Sequence, residues 1–174
     1  MKAVMDTSAL ISLQVAHLIP KALQITQIVV PPLIVEELKE MSSYPDQEGQ
    51  AAHTLLHLIR KERIEEIETQ NKKKVKSLLS ADVDPGEAEC LVCCLENQIG
   101  LLIIGDVDAA YALQSYTKIH NVDLKISVAV ISELVQREKI TPQQALKAVK
   151  KISHIREWQG GVLQVLARKY FPQL

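Results

Sequence analysis

Three short, wholly apolar runs constrain this chain most, because each is no longer than a strand and each stops at an acid, a proline or a glycine. They are Ala3-Val4-Met5 before Asp6, Ile28-Val29-Val30 before Pro31-Pro32, and Leu101-Leu102-Ile103-Ile104 before Gly105-Asp106. None alternates with polar residues, so both sides of the pleat must be buried. Strands are predicted over residues 2–5, 28–30, 101–104 and 121–126, with a weaker extended segment at 64–68. Helical spacing fills the intervals: residues 9–18, 20–25, 33–41, 50–61, 71–79, 86–98, 108–115, 127–137 and 142–152, with a last helix over 159–170. Thr7-Ser8 reads as cap and turn for the first helix, and Thr141-Pro142 as the start of another. Gly160-Gly161 reads as a turn. Strands alternating with helices argue for an α/β fold, a mostly parallel sheet covered on both faces. No repeat, low-complexity tract or linker divides the chain, so residues 1–174 are expected to form a single domain, with a helical C-terminal extension from about residue 127.

Composition removes several function classes. Aromatic residues make up only 3% of the chain, which leaves no stacking platform of the kind that reads single-stranded bases. The net charge is -1, so any contact with RNA must rest on local basic patches. Asp6 interrupts the first apolar run too early for a secretory signal, and no run approaches the ~20 apolar residues of a membrane span. Three cysteines suggest no disulfide framework. The expectation is a soluble, cytoplasmic protein without membrane contact.

Four carboxylates stand where strands end or helices begin: Asp6, Glu37, Glu87 and Asp106. In an open α/β sheet the ligand crevice lies at the carboxyl ends of the strands. Acids converging there suit a hard divalent cation, and a cation there can activate water against a phosphodiester. Each acid also has a plainer role. Asp6 and Asp106 are good helix caps, Glu37 shares a helix with Glu36, and Glu87 and Glu89 sit in a first turn where acids complement the helix dipole. Glu36 and Glu37 point about 100° apart, so only one readily reaches a common ion. Asp108 is an additional candidate ligand beside Asp106. Ser8 could orient Asp6 or a bound water from the second layer, and Glu89 could share the work of Glu87.

Weaker signals lie elsewhere. Cys90, Cys93 and Cys94 lack the further ligands a zinc site needs and read as core thiols. His53 and His57 stand four apart on one helix, but the glutamate of a metalloprotease helix is missing. There is no glycine-rich phosphate loop. Among the basic runs, Lys72, Lys73, Lys74 and Lys76 are the best candidates to guide an RNA backbone, since acids dilute that run least.

These residues together resemble the PIN-domain nucleases. Val4-Met5-Asp6-Thr7-Ser8-Ala9-Leu10-Ile11 is similar to the opening strand and first acidic motif of that family. Pro31-Pro32-Leu33-Ile34-Val35-Glu36-Glu37-Leu38 resembles the second, whose ligand corresponds to Glu37. Gly86-Glu87-Ala88-Glu89-Cys90 resembles a segment of the subgroup related to the VapC toxins, and Ile103-Ile104-Gly105-Asp106 the strand end that carries a further acid. Where members often show Thr or Ser and a second Asp, as in Thr-Asp-Asp, this chain has Ile104-Gly105-Asp106-Val107-Asp108, with Asp108 as the compensating acid. The resemblance runs in order through about residues 1–115, and the helices after Ser127 are similar in plan to uncharacterised prokaryotic members.

The resemblance implies a Rossmann-like three-layer α/β/α fold, Mg²⁺ or Mn²⁺ as cofactor, and cleavage of single-stranded RNA. It further implies frequent homodimers and, in toxins, a partner antitoxin. One rival reading is a PIN-like module that binds RNA or protein without cutting. Another is phosphotransfer with Asp6 as nucleophile, disfavoured because Ser8 occupies the position where that chemistry wants a second aspartate.

Overall fold

The computed structural model describes residues 1–156 and 162–171. Five strands form one sheet: β1 (Lys2–Met5), β2 (Gln27–Val30), β3 (Glu65–Glu66), β4 (Leu101–Ile104) and β5 (Asp123–Ile126). Their order is β3-β2-β1-β4-β5, and every pairing is parallel. The apolar runs occupy the middle: Ala3, Val4, Met5, Ile28, Val29, Val30, Leu102 and Ile104 are all buried. Strand order reverses between β1 and β4, and that is the point where such sheets open a crevice at their carboxyl ends.

Among the described residues, ten helices surround the sheet: α1 (Thr7–Val15), α2 (Ile19–Ala22), α3 (Pro32–Met41), α4 (Gln47–Arg60), α5 (Lys72–Leu78), α6 (Pro85–Glu96), α7 (Val107–Ile119), α8 (Ser127–Gln136), α9 (Pro142–Ile155) and α10 (Val162–Tyr170). Helix α1 packs on β4 and against α4, α8 and α9, while α6 packs on β1 and β4 and against α3 and α5. The result is a three-layer, Rossmann-like α/β/α arrangement. Both α1 and α6 are buried over most of their lengths, which is why neither shows a polar stripe in the sequence. The core is aliphatic, and the three cysteines lie buried and free within it. Burial pushes their thiols upward, Cys93 to about 12, so they are poor thiolate ligands.

Several element boundaries differ from expectation for identifiable reasons. The first helix ends at Val15, not residue 18. His17 turns into left-handed backbone (φ 58°), and the Leu18 N–H bonds to the Leu13 carbonyl. Glu62, Gln98, Asn121 and Glu138 repeat this left-handed close after α4, α6, α7 and α8, with no glycine at any of them. At Asn121 it consumes the start of the expected 121–126 strand, since the Val122 N–H bonds back to Thr117. Helix α4 starts at Gln47, earlier than expected, because Asp46 accepts the Gly49 N–H at 2.8 Å. The cap of α1 is Asp6 rather than Thr7-Ser8, which already form the first helical turn. The Gly160-Gly161 turn lies outside the described residues. No described helix is long and apolar enough to cross a membrane.

Candidate active site

Asp6 occupies the switch point itself. Its backbone N–H bonds to the Ile103 carbonyl of β4 at 3.1 Å. Its carboxylate accepts the Ala9 N–H at 2.7 Å and the Gly105 N–H at 3.0 and 3.1 Å. The same side chain therefore caps α1 and ties β1 to the end of β4. Asp6 is 3% exposed. Burial foremost, with the charges of Asp84 and Glu37 adding to it, lifts its pKa to about 7 against those N–H donors.

Three more acids share its pocket. Glu37, from α3, accepts a hydrogen bond from the Thr7 hydroxyl, and burial with neighbouring charge from Asp84 raises its pKa. Glu87 and Asp84 form a reciprocal capping box at the start of α6: Asp84 accepts the Glu87 N–H at 2.8 Å and Glu87 accepts the Asp84 N–H at 2.9 Å. Burial pushes Glu87 up to about 8, with added repulsion from Asp84, Asp6 and Asp106. The pocket is about 140 Å³, lined by these four acids with Thr7, Ser8, Ile11, Ile34, Met41 and Arg156. That is well below the ~300–1,000 Å³ of a pocket that encloses a drug-sized ligand. It has room for an ion.

A second depression of about 240 Å³ adjoins it, lined by Ala81, Asp82, Asp84, Glu87, Asp106 and Asp108. Asp84 and Glu87 form part of both walls. Asp106 is thus near Glu87 but not in the inner pocket, and its carboxylate caps α7 by accepting the Asp108 and Ala109 N–H groups at 2.8 and 3.0 Å. Of the four carboxylates singled out in the sequence, three share one pocket and the fourth stands in the next.

Glu89 lines neither pocket. It is buried, and it accepts the Leu33 N–H at 2.9 Å, the Thr69 hydroxyl at 2.6 Å and the Lys72 ammonium at 2.6 Å. Burial alone would raise its pKa, but these donors, Lys72 foremost, hold it below the usual carboxylate value. Lys72 is thereby engaged, and Lys74 lies over the Tyr116 ring at 5.2 Å. Lys73 and Lys76 are exposed. His53 and His57 are exposed on α4.

Sequence reasoning missed two members of the inner pocket. Asp84 was not singled out, although Asp84-Pro85-Gly86-Glu87 has the form of a capping box with proline at the first helical position. Arg156 carried no local signal, because its contacts span more than a hundred residues. Its guanidinium donates to Glu48 at 2.7 Å and to the Ser8 hydroxyl at 2.9 Å.

The donor set consists entirely of oxygens. Like charges held this closely, with two of the groups raised toward neutral pH, suit a hard divalent cation. Among the described residues, no three His, Cys, Asp or Glu side chains converge as a ready-made coordination sphere. Asp6, Glu37 and Glu87 are each engaged by donors of the protein itself.

Comparison with known proteins agrees with this geometry. No curated protein matches the chain. A family model described as a PIN domain matches residues 2–158, which take in all five strands and every acid of both pockets. The chain therefore belongs to the PIN-domain family, whose members are generally nucleases and typically use divalent metal ions.

Proposed function

We propose that this protein is a divalent-metal-dependent ribonuclease that cleaves phosphodiester bonds of single-stranded RNA. The observation that carries the reading is that Asp6, Glu37, Asp84 and Glu87 all line one small pocket at the switch point of the sheet. Asp6, Glu37 and Glu87 would hold Mg²⁺ or Mn²⁺, with Asp84 beside them and Asp106 and Asp108 serving the adjoining depression. Bound there, the cation supplies a Lewis acid for the scissile phosphate and a water of lowered pKa. The protein fixes Asp6 from three N–H bonds and Glu37 through Thr7, so the acids are oriented before any ligand arrives. Family membership supports RNA as substrate, and the same resemblance supports a homodimer and, if the protein acts as a toxin, a neighbouring antitoxin as partner.

Mn²⁺ titration by calorimetry, paired with cleavage of a labelled single-stranded RNA, tests this directly. Asp6 and Glu87 must lose protons to bind a cation, so affinity is expected to rise roughly tenfold or more from pH 6 to pH 8, with proton release. Cleavage should need Mn²⁺ or Mg²⁺ and stop with chelator. A protein that binds Mn²⁺ yet cuts no RNA would be the non-cutting module instead, a reading favoured by the diversion of Asp106 into a helix cap.

Gly86→Ala offers a finer check. A Cβ at Gly86 would lie 2.4 Å from Glu37 Oε1, the far end of a flexible side chain. The backbone gains an ordinary helix former in α6, so the melting temperature should hold or rise slightly. Mn²⁺ affinity should fall roughly tenfold as Glu37 is pushed aside. Unchanged affinity would remove Glu37 from the ligand set.

A further inference from the structure

Arg156 is the one cationic side chain, among the described residues, that lines the pocket of Asp6, Glu37, Asp84 and Glu87. It is the cap residue at the end of α9, brought there from the far end of the chain. Its side chain is only 18% exposed. Glu48 takes one terminal nitrogen at 2.7 Å and the Ser8 hydroxyl takes the other at 2.9 Å. A guanidinium has five N–H donors, so most of its donor capacity is uncommitted among the described residues. It is also held in one orientation, with Ser8 seated in turn against Gly105.

The charge balance of the pocket gives this arginine a purpose. Four carboxylates repel a phosphodiester, and one divalent cation neutralises only part of their charge. A planar, permanently charged fork at the rim matches paired phosphate oxygens, which a strongly hydrated ammonium does less well.

We propose that Arg156 binds a backbone phosphate of the RNA at the mouth of this pocket, with Glu48 and Ser8 holding its guanidinium in position. This rests on the ribonuclease reading. Arg156 is a substrate-binding residue here, and Glu48 a positioning residue.

The test is steady-state cleavage of a fluorescein-labelled, random-sequence single-stranded RNA with Mn²⁺, at several salt concentrations. It compares wild type with Arg156→Gln, Arg156→Lys and Glu48→Gln, and calorimetry of Mn²⁺ alone serves as control. Arg156→Gln keeps hydrogen-bonding groups near Glu48 and Ser8 but removes the charge, so it guards against simple unfolding. Its KM is expected to rise roughly 10- to 100-fold, with Mn²⁺ affinity unchanged. Its salt dependence should be shallower by roughly 0.7 in the slope of log KM against log salt, the loss of one phosphate contact. Arg156→Lys should recover the salt slope and part of KM, and Glu48→Gln should raise KM less than Arg156→Gln. A folded Arg156→Gln with wild-type KM and salt slope overturns the role of Arg156 alone. A wild type that neither binds Mn²⁺ nor cuts the RNA overturns the ribonuclease reading and this inference with it.

Discussion

Asp6→Asn is expected to abolish Mn²⁺ binding and RNA cleavage while making the metal-free protein more stable at pH 8. The first effect follows from the position of Asp6, at the junction of β1, β4 and α1 and within the acid pocket. An asparagine oxygen can still accept the Ala9 and Gly105 N–H groups, and asparagine caps helices as well as aspartate does. The second effect follows from linkage. The folded state raises this carboxyl from an ordinary 3.8 to about 7, so it holds the proton more tightly than the unfolded chain does. The stability this confers is full below about pH 4 and is lost as pH rises through 7. At pH 8 the buried charge therefore works against folding by roughly 2–4 kcal/mol. The variant should recover part of that, raising the melting temperature by roughly 5 °C. At pH 4 the gain should vanish. Full cleavage by the folded variant would remove Asp6 from the catalytic set, and a lower melting point at pH 8 would show that its charge is well compensated.

Gly105→Ala should be strongly destabilising, costing roughly 3 kcal/mol or more. A Cβ there would stand 2.5 Å from the Ser8 hydroxyl, 2.6 Å from its Cβ and 2.7 Å from the Ala9 nitrogen. Unlike Glu37 opposite Gly86, these atoms have nowhere to go. The Ala9 N–H is bonded to Asp6, and Ser8 is bonded to Arg156. Relief requires the first turn of α1 to move away from the end of β4, which breaks the Gly105–Asp6 bonds as well. Urea unfolding measures the loss, and a stability within ~1 kcal/mol of wild type would mean this junction yields far more easily than its packing indicates.

The sheet was largely legible in the sequence because its strands are buried on both faces. Ala3-Val4-Met5, Ile28-Val29-Val30 and Leu101–Ile104 carry their own signal, and the helices between them leave few topologies for a parallel sheet. β3 falls inside the extended segment expected at 64–68, whose signal is weak because the strand itself is two glutamates at a sheet edge. The expected ends of α1 and α7 were off by a few residues where His17 and Asn121 close the helix in left-handed backbone. Of the acids lining the inner pocket, Asp6 stands out because it follows a strand and Glu87 because it opens a helix, whereas Glu37 lies mid-helix and was preferred to Glu36 only through the resemblance of its motif. Arg156 and Glu48 stood outside that logic. Their pairing links residues 108 positions apart, and nothing in either neighbourhood announces it. Glu89 had the same local look as Glu87 but lies two residues further round the helix, where Thr69, Lys72 and the Leu33 N–H absorb it.

The double duty of Asp6 also affects how relatives of this chain should be interpreted. The residue is a helix cap and an inter-strand fastener whether or not RNA is ever cut. Asp106 and the Asp84–Glu87 pair are likewise architectural. A lineage that abandoned nuclease activity would still be under pressure to keep these acids, since losing a cap costs about 1 kcal/mol. An intact acidic signature is therefore weak proof of catalysis in this architecture. Glu37 caps no helix, so its replacement would be the earlier sign that the chemistry has been lost.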